Sequence, residues 1–306
     1  MLLDLTIAIP VKNEEKNLPE CLAAIGYDLA RRIVVIDSGS TDGTKIIAKK
    51  WGAEVIEFDW NGNFPKKRNW FLRNHRPETK WVFFLDADEY LTPEFKKELR
   101  KKITTDFNKS GYWLSYSTYF LGKPLRGGYP LRKLALFQVG KGEYEQIDEV
   151  HWSELDMEVH EHPLISGEVG VINSKIDHRD FRGASHFVTK HSEYASWEAA
   201  RFLAAMGDGT SKNHWSWKQR LKYRLMNTVL FPPMFFLGSF FLYGGFIDGT
   251  RGFAHGVLKM VYYMQTYCKI REIRKTFNSG NHTTNSEVIA SRKRGIAVKE
   301  VAVNHV

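Results

Sequence analysis

Arg31 to Gly52 reads RRIVVIDSGSTDGTKIIAKKWG, and its grammar changes at Asp37. Before Asp37 stands a β-branched run that suits a buried strand. After it come the small residues Ser38, Gly39, Ser40 and Thr41, then Asp42 and Gly43, and then apolar residues at helical spacing. That is a strand, a tight turn and a helix, one half of a βαβ unit. The same alternation surrounds it. LTIAIPV (5–11), AEVIEFD (53–59) and KWVFFLD (80–86) are strand-like, whereas EKNLPECLAAIGYDLA (15–30) has helical spacing. Strands alternating with helices predict an α/β fold with a mostly parallel, Rossmann-like sheet flanked by helices. In such sheets ligands bind beyond the carboxyl ends of the strands, where Asp37 falls.

The run WVFFLDADEY (81–90) ends the fourth predicted strand in three acids, Asp86, Asp88 and Glu89. Like charges repel, so a positive group is expected among them. In a strand, residues i and i+2 point the same way, which would aim Asp86 and Asp88 at one point. Paired carboxylates suit Mg²⁺ or Mn²⁺ holding a diphosphate; solvated loop acids or helix caps are the plainer reading. At Asp37, small neighbours allow a nucleotide close to the backbone, and a carboxylate there can accept hydrogen bonds from a base or ribose. An ordinary turn capped by Asp42 is the alternative. Thr92 and Pro93 predict the start of a helix that runs to about Ile103.

With 306 residues and 43% apolar content, the chain is long enough for a large domain plus an appendage. The first residues read as a strand and not as a signal peptide. Cys21 and Cys268 have neither disulfide-framework nor zinc spacing, which predicts reduced structural thiols and a cytosolic compartment. The formal charge of +9 is compatible with nucleic acid, anionic lipid or an acidic substrate. Its placement favours lipid: basic residues flank Leu225–Ile247, LMNTVLFPPMFFLGSFFLYGGFI, which contains no Asp, Glu, Lys, Arg or His. Pro232 and Pro233 interrupt that segment and positive charge lies on both sides, which predicts a re-entrant hairpin or interfacial helices on anionic headgroups in place of a simple crossing. A buried helical pair or an oligomer interface is the alternative. No nucleic-acid recognition module is present. The expected organisation is 1–210 as ligand-binding domain (1–105 for the nucleotide, 106–210 covering the crevice), 211–276 as membrane-association region and 277–306 as polar tail.

IPVKNEEKNLPECL (9–22), VVIDSGSTDGT (34–44), GNFPKKRNWFL (62–72) and WVFFLDADEYLTPEF (81–95), in that order, resemble the amino-terminal half of family 2 glycosyltransferases with the GT-A fold. The later pieces GGYPLRKLALF (127–137), VHEHP (159–163), KIDHRDFRG (175–183) and FIDGTRG (246–252) are similar to the lipopolysaccharide-core glucosyltransferase branch. The branch carries an arginine where this chain has Ala135, and the Gln-x-x-Arg-Trp motif of processive synthases is missing, which favours single addition. The resemblance implies an inverting transfer from a nucleoside-diphosphate sugar, a UDP-sugar being expected, to a lipid-linked or lipopolysaccharide acceptor at the cytoplasmic face of the inner membrane. It assigns Pro10, Val11, Asn13, Glu14, Asp37 and Ser38 to the nucleotide pocket. Arg68 takes a sugar- or phosphate-side contact, and Asp86-Ala87-Asp88 is the metal motif with Asp88 the direct ligand. Glu161, after His160, becomes the general base; Glu158 would point away from it in a strand. His160, His178 and Lys190 are expected to contact phosphate or acceptor. A catalytically inactive nucleotide- or glycolipid-binding scaffold and a sugar-nucleotidyltransferase are the competing functions. The latter lacks support, because VKNEEKNLPE has no Gly-rich basic loop.

Overall fold

The computed structural model describes residues 2–62, 64–146, 163–179, 183–207 and 217–278. The chain divides into two units: Met1–Ile147 with Leu155–Ser185 and Ser239–His255, and Asp148–Glu154 with His186–Gly238 and Gly256–Val306.

In the first unit, β1 (Leu3–Val11), β2 (Ala30–Asp37), β3 (Glu54–Glu57) and β4 (Trp81–Phe84) run parallel in the order β3-β2-β1-β4. Side-chain alternation sorts them into two cores. Ile7, Ile9, Val35 and Phe83 face one cluster, whereas Ala8, Val34, Ile36, Val82 and Phe84 face another. Both faces of the sheet are therefore covered, which explains why these strands read as continuous apolar runs. Helix α1 (Leu18–Ile25) buries Leu18, Cys21, Leu22 and Ile25 at the i, i+3, i+4, i+7 spacing of one face. Further along, α2 (Thr44–Lys50) follows the Asp37 turn and α3 (Lys67–Asn74) sits on the second face through Phe71 and Leu72. Helix α4 (Pro93–Thr105) starts as expected: the Thr92 hydroxyl accepts from the Phe95 N–H at 3.2 Å and Pro93 occupies the first turn.

Beyond β4 the sheet becomes mixed. β8 (Arg132–Gln138) pairs antiparallel with β4 and with β6 (Lys109–Phe120), β11 (Glu168–His178) runs parallel to β6, and β5 (Glu89–Tyr90) closes the order against β11. A bulge interrupts β8: Tyr112 faces Leu136 but Trp113 faces Leu134, so Ala135 is the extra residue. β7 (Lys123–Pro124) folds back on β6, and β9 (Gly142–Tyr144) pairs with β10 (Pro163–Ile165).

A segment distant in sequence completes this unit. The buried Asp248 carboxylate accepts the Arg126 and Gly127 N–H groups at 2.8 and 2.9 Å, while the Ser239 hydroxyl accepts from the Tyr129 N–H at 3.1 Å. Gly127 is required by contact: a Cβ there would lie 2.0 Å from the Gly244 carbonyl oxygen. The chain from Ser239 to His255 thereby holds the loop that leads into β8.

The second unit contains most of α5 (Gly183–Gly207), together with α6 (Trp217–Met226), α7 (Phe231–Leu237) and the later part of α8 (Gly249–Asn278). Its core is Ala199, Phe202, Tyr223, Met226 and Ile270. Pro232 and Pro233 fall in the first turn of α7, where a missing N–H breaks no bond. Among the described residues no helix is long and apolar enough to cross a membrane. The apolar run of 225–247 is instead divided among the end of α6, α7, a π-helical turn (Gly238–Leu242) and a 3₁₀ turn (Gly245–Asp248).

Candidate active site

Register puts the carboxyl ends of β1 and β2 side by side, Pro10 opposite Ile36 and Val11 opposite Asp37. The loop after Val11 and the turn after Asp37 are laced together. Asn13, at φ +56°, donates its N–H to Ser40 Oγ at 2.9 Å and accepts the Thr41 N–H at 2.8 Å. The Glu14 N–H reaches Thr44 Oγ1 at 2.8 Å, and Glu14 Oε2 accepts from Asn17 at 2.7 Å. Asp42, just before α2, accepts the Thr44 N–H at 3.0 Å, the Thr44 hydroxyl and the Glu15 N–H at 3.2 Å, and these hydrogen bonds lower its pKa despite the larger opposing effect of burial.

Asp37 is completely buried. Its Oδ2 accepts the Ser40 N–H at 2.9 Å, but among the described residues Oδ1 has no hydrogen-bond partner, and neither has the buried Ser38 hydroxyl. An acceptor left unsatisfied in the interior costs about 1–3 kcal/mol, so a donor from outside the chain is the natural complement to Oδ1.

The acids of 86–89 do not sit as the strand argument expects. β4 stops at Phe84 and Ala87–Asp88 form a turn, so the i/i+2 rule does not apply and the two carboxylates have different partners. Asp86 Oδ1 accepts from Arg68 of α3 at 2.7 Å, and Oδ2 from Lys133 of β8 at 2.7 Å. Lys133 also reaches Glu89 Oε1 at 2.5 Å, and Glu89 Oε2 receives Tyr116 OH at 3.4 Å and the Asp86 N–H at 3.2 Å. Asp88 Oδ2 lies 3.5 Å from His178 Nε2 at the end of β11, where the Asp88 carbonyl accepts the Arg179 N–H at 2.8 Å.

Burial would raise the pKa of Asp86, yet Lys133 and Arg68 outweigh it and hold the carboxyl well below the ordinary range. Glu89, almost sealed from solvent, goes the other way: desolvation raises its pKa against the pull of Lys133. Lys133 is itself burdened by desolvation, but Asp86 and Glu89 keep it firmly protonated. Cys21, buried beside this cluster, is a free thiol whose pKa is pushed up by burial and then by Glu89 and Asp88.

The positive groups expected among the acids are thus side chains of the chain itself. Arg68 is in the predicted neighbourhood. Lys133 was not singled out by its sequence, although the resemblance expects a cation two residues later, at Ala135. Lys190 lies on α5 in the second unit, and its ammonium stands 5.8 Å from the Tyr194 ring centre. His160 and Glu161 fall outside the described residues. On β6, Tyr112, Tyr116 and Phe120 are buried.

A metal finds a partial donor set here. Among the described residues no group of three or more His, Cys, Asp or Glu side chains converges. Asp88 and His178 nevertheless present a carboxylate oxygen and an imidazole nitrogen close together, a pair that Mn²⁺ accepts and that leaves most coordination positions for other oxygen ligands.

The order of parallel strands, with small residues after β2 and acids after β4, is that of an α/β fold with its candidate site at the strands' carboxyl ends, and residues 6–125 match the Glycosyl transferase family 2 model. The match takes in β1 to β7 of the first unit, and a helical region follows it in the chain. Among its relatives, the lipopolysaccharide core biosynthesis glycosyltransferase LpsC of Rhizobium meliloti is 26% identical over 280 residues, covering 88% of this chain and 92% of LpsC. An uncharacterized glycosyltransferase of Rickettsia typhi is 25% identical over 271 residues, 87% of this chain and 86% of its own. The solved structure of glucosyl-3-phosphoglycerate synthase from Mycobacterium tuberculosis with Mn²⁺ and UDP-glucose aligns at 23% identity and TM-score 0.30, over 39% of this chain and 44% of that one.

Proposed function

We propose that the protein is an inverting glycosyltransferase that moves a sugar from a nucleoside-diphosphate sugar, UDP-linked by preference, to a lipid-linked or lipopolysaccharide-core acceptor on a membrane surface. The observation that carries this reading is Asp37: a fully buried carboxylate at a strand's carboxyl end, with Oδ1 awaiting a donor such as a base N–H or ribose hydroxyl. Pro10, Val11, Asn13, Glu14 and Ser38 are the residues proposed to surround the nucleotide there. Asp88 and His178 are the residues that would hold Mg²⁺ or Mn²⁺, whose contribution when bound is to stabilise charge on the departing diphosphate. Asp86 orients Arg68 and Lys133, the two cations nearest the acids. Glu161 is the proposed base that takes the proton from the acceptor hydroxyl on the face of the sugar opposite the diphosphate, so no covalent enzyme intermediate forms.

LpsC's role in lipopolysaccharide core biosynthesis supports the acceptor class. In the first unit Phe241, Leu242, Tyr243 and Phe246 are all at least half exposed, Leu242 at 85%, and the exposed Lys123 and Arg126 belong to the neighbouring loop and strand. Apolar tips beside basic side chains fit peripheral binding to an anionic leaflet, here the cytoplasmic face of the inner membrane.

The test is a panel of sugar nucleotides with Mn²⁺, following nucleoside-diphosphate release in the presence of membrane glycolipid. One donor is expected to turn over, Asp88→Ala to lose metal-dependent donor binding, and Glu161→Gln to bind donor but not transfer. Undiminished turnover in Asp88→Ala, or failure of every nucleoside diphosphate to bind, refutes the reading.

A further inference from the structure

Strand register decides where Lys133 stands. β4 and β8 run antiparallel with Trp81 opposite Gln138 and Phe83 opposite Leu136, so the first residues of β8 reach past the end of β4. They arrive at the edge of the sheet where Val11 and Asp37 end β1 and β2. In an open α/β sheet that edge receives ligands. The Lys133 side chain is 32% exposed there, and its ammonium is fixed from three sides. Asp86 Oδ2 takes one N–H at 2.7 Å, Glu89 Oε1 takes a second at 2.5 Å, and the Tyr116 ring centre lies 5.3 Å away. An ammonium has three hydrogens. The third has no hydrogen-bond partner among the described residues, and the partial exposure of the side chain leaves it open to solvent or to a ligand.

Charge balance indicates what that ligand is. Asp86, Asp88 and Glu89 bring three formal negative charges to one corner, and Arg68 and Lys133 return two positive ones. Without Lys133 the corner would carry a formal excess of two negative charges, which repels a phosphate. Asp86 also holds Arg68 on its other oxygen at 2.7 Å, so a single carboxylate sets the separation of two cations. A diphosphate has two phosphoryl groups to meet them, and hydrogen bonds between an ammonium and a phosphate oxygen are among the strong ones. We propose that Lys133 donates its third hydrogen to the diphosphate of the sugar nucleotide and is a binding residue for that group. Glu89, sealed from solvent, is then a positioning residue that acts through Lys133. The assignment rests on the glycosyl-transfer reading and adds to it a contact from the antiparallel part of the sheet.

Binding tests this without turnover. Calorimetric titration of the full chain with UDP, GDP, ADP and CDP, in Mn²⁺ and again in EDTA, selects the nucleoside diphosphate that binds. Its own nucleoside, followed by ligand-observed NMR, is the second probe. Lys133→Met alone leaves the buried Glu89 unanswered, so the test variant is Lys133→Met/Glu89→Gln, with Glu89→Gln as its reference. Relative to that reference, the double variant should bind the diphosphate at least about tenfold more weakly, the worth of one charge-assisted hydrogen bond, and the nucleoside within about twofold. Should the double variant melt early by circular dichroism, Lys133→Gln in the same background gives the same reading, because its amide can still hydrogen-bond to Asp86. Equal diphosphate affinity in variant and reference overturns the proposal and leaves the glycosyl-transfer reading standing. An equal loss for diphosphate and nucleoside also overturns it, since a distorted pocket produces that and a missing phosphate contact does not. If the wild type binds no nucleoside diphosphate in either condition, the glycosyl-transfer reading falls and takes the proposal with it.

Discussion

Replacing Lys133 by methionine removes the one ammonium that bridges Asp86 and Glu89, at 2.7 and 2.5 Å, while keeping a similar side-chain volume. Breaking a buried ion pair from one side costs about 3–5 kcal/mol. Lys133 is 32% exposed, so water screens part of that, and Asp86 retains Arg68; about 2–3 kcal/mol is left, nearly all of it on Glu89, which is 1% exposed. The cost must depend on pH. Glu89 already has a folded pKa above its unfolded value because burial penalises the charged form. A carboxyl raised in this way contributes its stability below the unfolded pKa and loses it as pH climbs through the folded one. Without Lys133 the folded pKa rises further, so Lys133→Met should be nearly tolerated at pH 5 and should show its full deficit at pH 8. Guanidinium denaturation at the two pH values measures it. Adding Glu89→Gln should recover at least about 1 kcal/mol, since a neutral amide no longer needs the cation. A deficit that is equal at both pH values or larger at pH 5, together with no rescue by Glu89→Gln, would refute the charge account of this cluster.

Two further outcomes are expected. Gly127→Ala drives a methyl into the Gly244 carbonyl, which as backbone cannot swing aside, and should cost about 3 kcal/mol in thermal unfolding; a melt unchanged from wild type would show that the 126–129 loop is not held by this contact. Leu242→Glu, at a site 85% exposed, should leave stability within about 0.5 kcal/mol of wild type yet reduce sedimentation with anionic vesicles on the order of tenfold, and equal sedimentation would exclude this tip from the membrane contact.

The parallel half of the sheet was legible because both of its signals are local. Apolar periods of two and of about 3.6 are written in adjacent residues, and so is the Thr92-Pro93 helix start. Asp37 was legible for the same reason, since strand, small residues and helix follow one another directly. What failed was inference across the chain. The i/i+2 argument for Asp86 and Asp88 assumed a strand that ends at Phe84, one residue before the loop that carries them. Lys133 escaped notice because the bulge at Ala135 breaks the alternation by which a residue's face is read from its neighbours. The attachment of Ser239–His255 to the loop of 126–129 joins residues about 120 positions apart. Its only trace in the sequence is a pair of Gly-Gly steps, 127–128 and 244–245, whose meaning is visible only when Gly127 meets Gly244.

These two long-range features belong to one mechanical argument. Lys133 and Arg68 neutralise Asp86 before any substrate arrives, so Asp86 is not a surplus negative charge awaiting a cation. Asp86 behaves as an orienting group that fixes two cations, and Asp88 with His178 is a separate pair of donors. The position of Lys133 in turn depends on β8, on the loop of 126–129 that leads into it, and on the Asp248 carboxylate that accepts two N–H groups of that loop. The strand that presents Lys133 to the acids is thus anchored by the same segment, Ser239–His255, that exposes Phe241, Leu242, Tyr243 and Phe246. A load on those apolar side chains acts on the Asp248 anchor through at most a few residues of backbone, which makes the charge cluster and the exposed tip parts of one covalently short path.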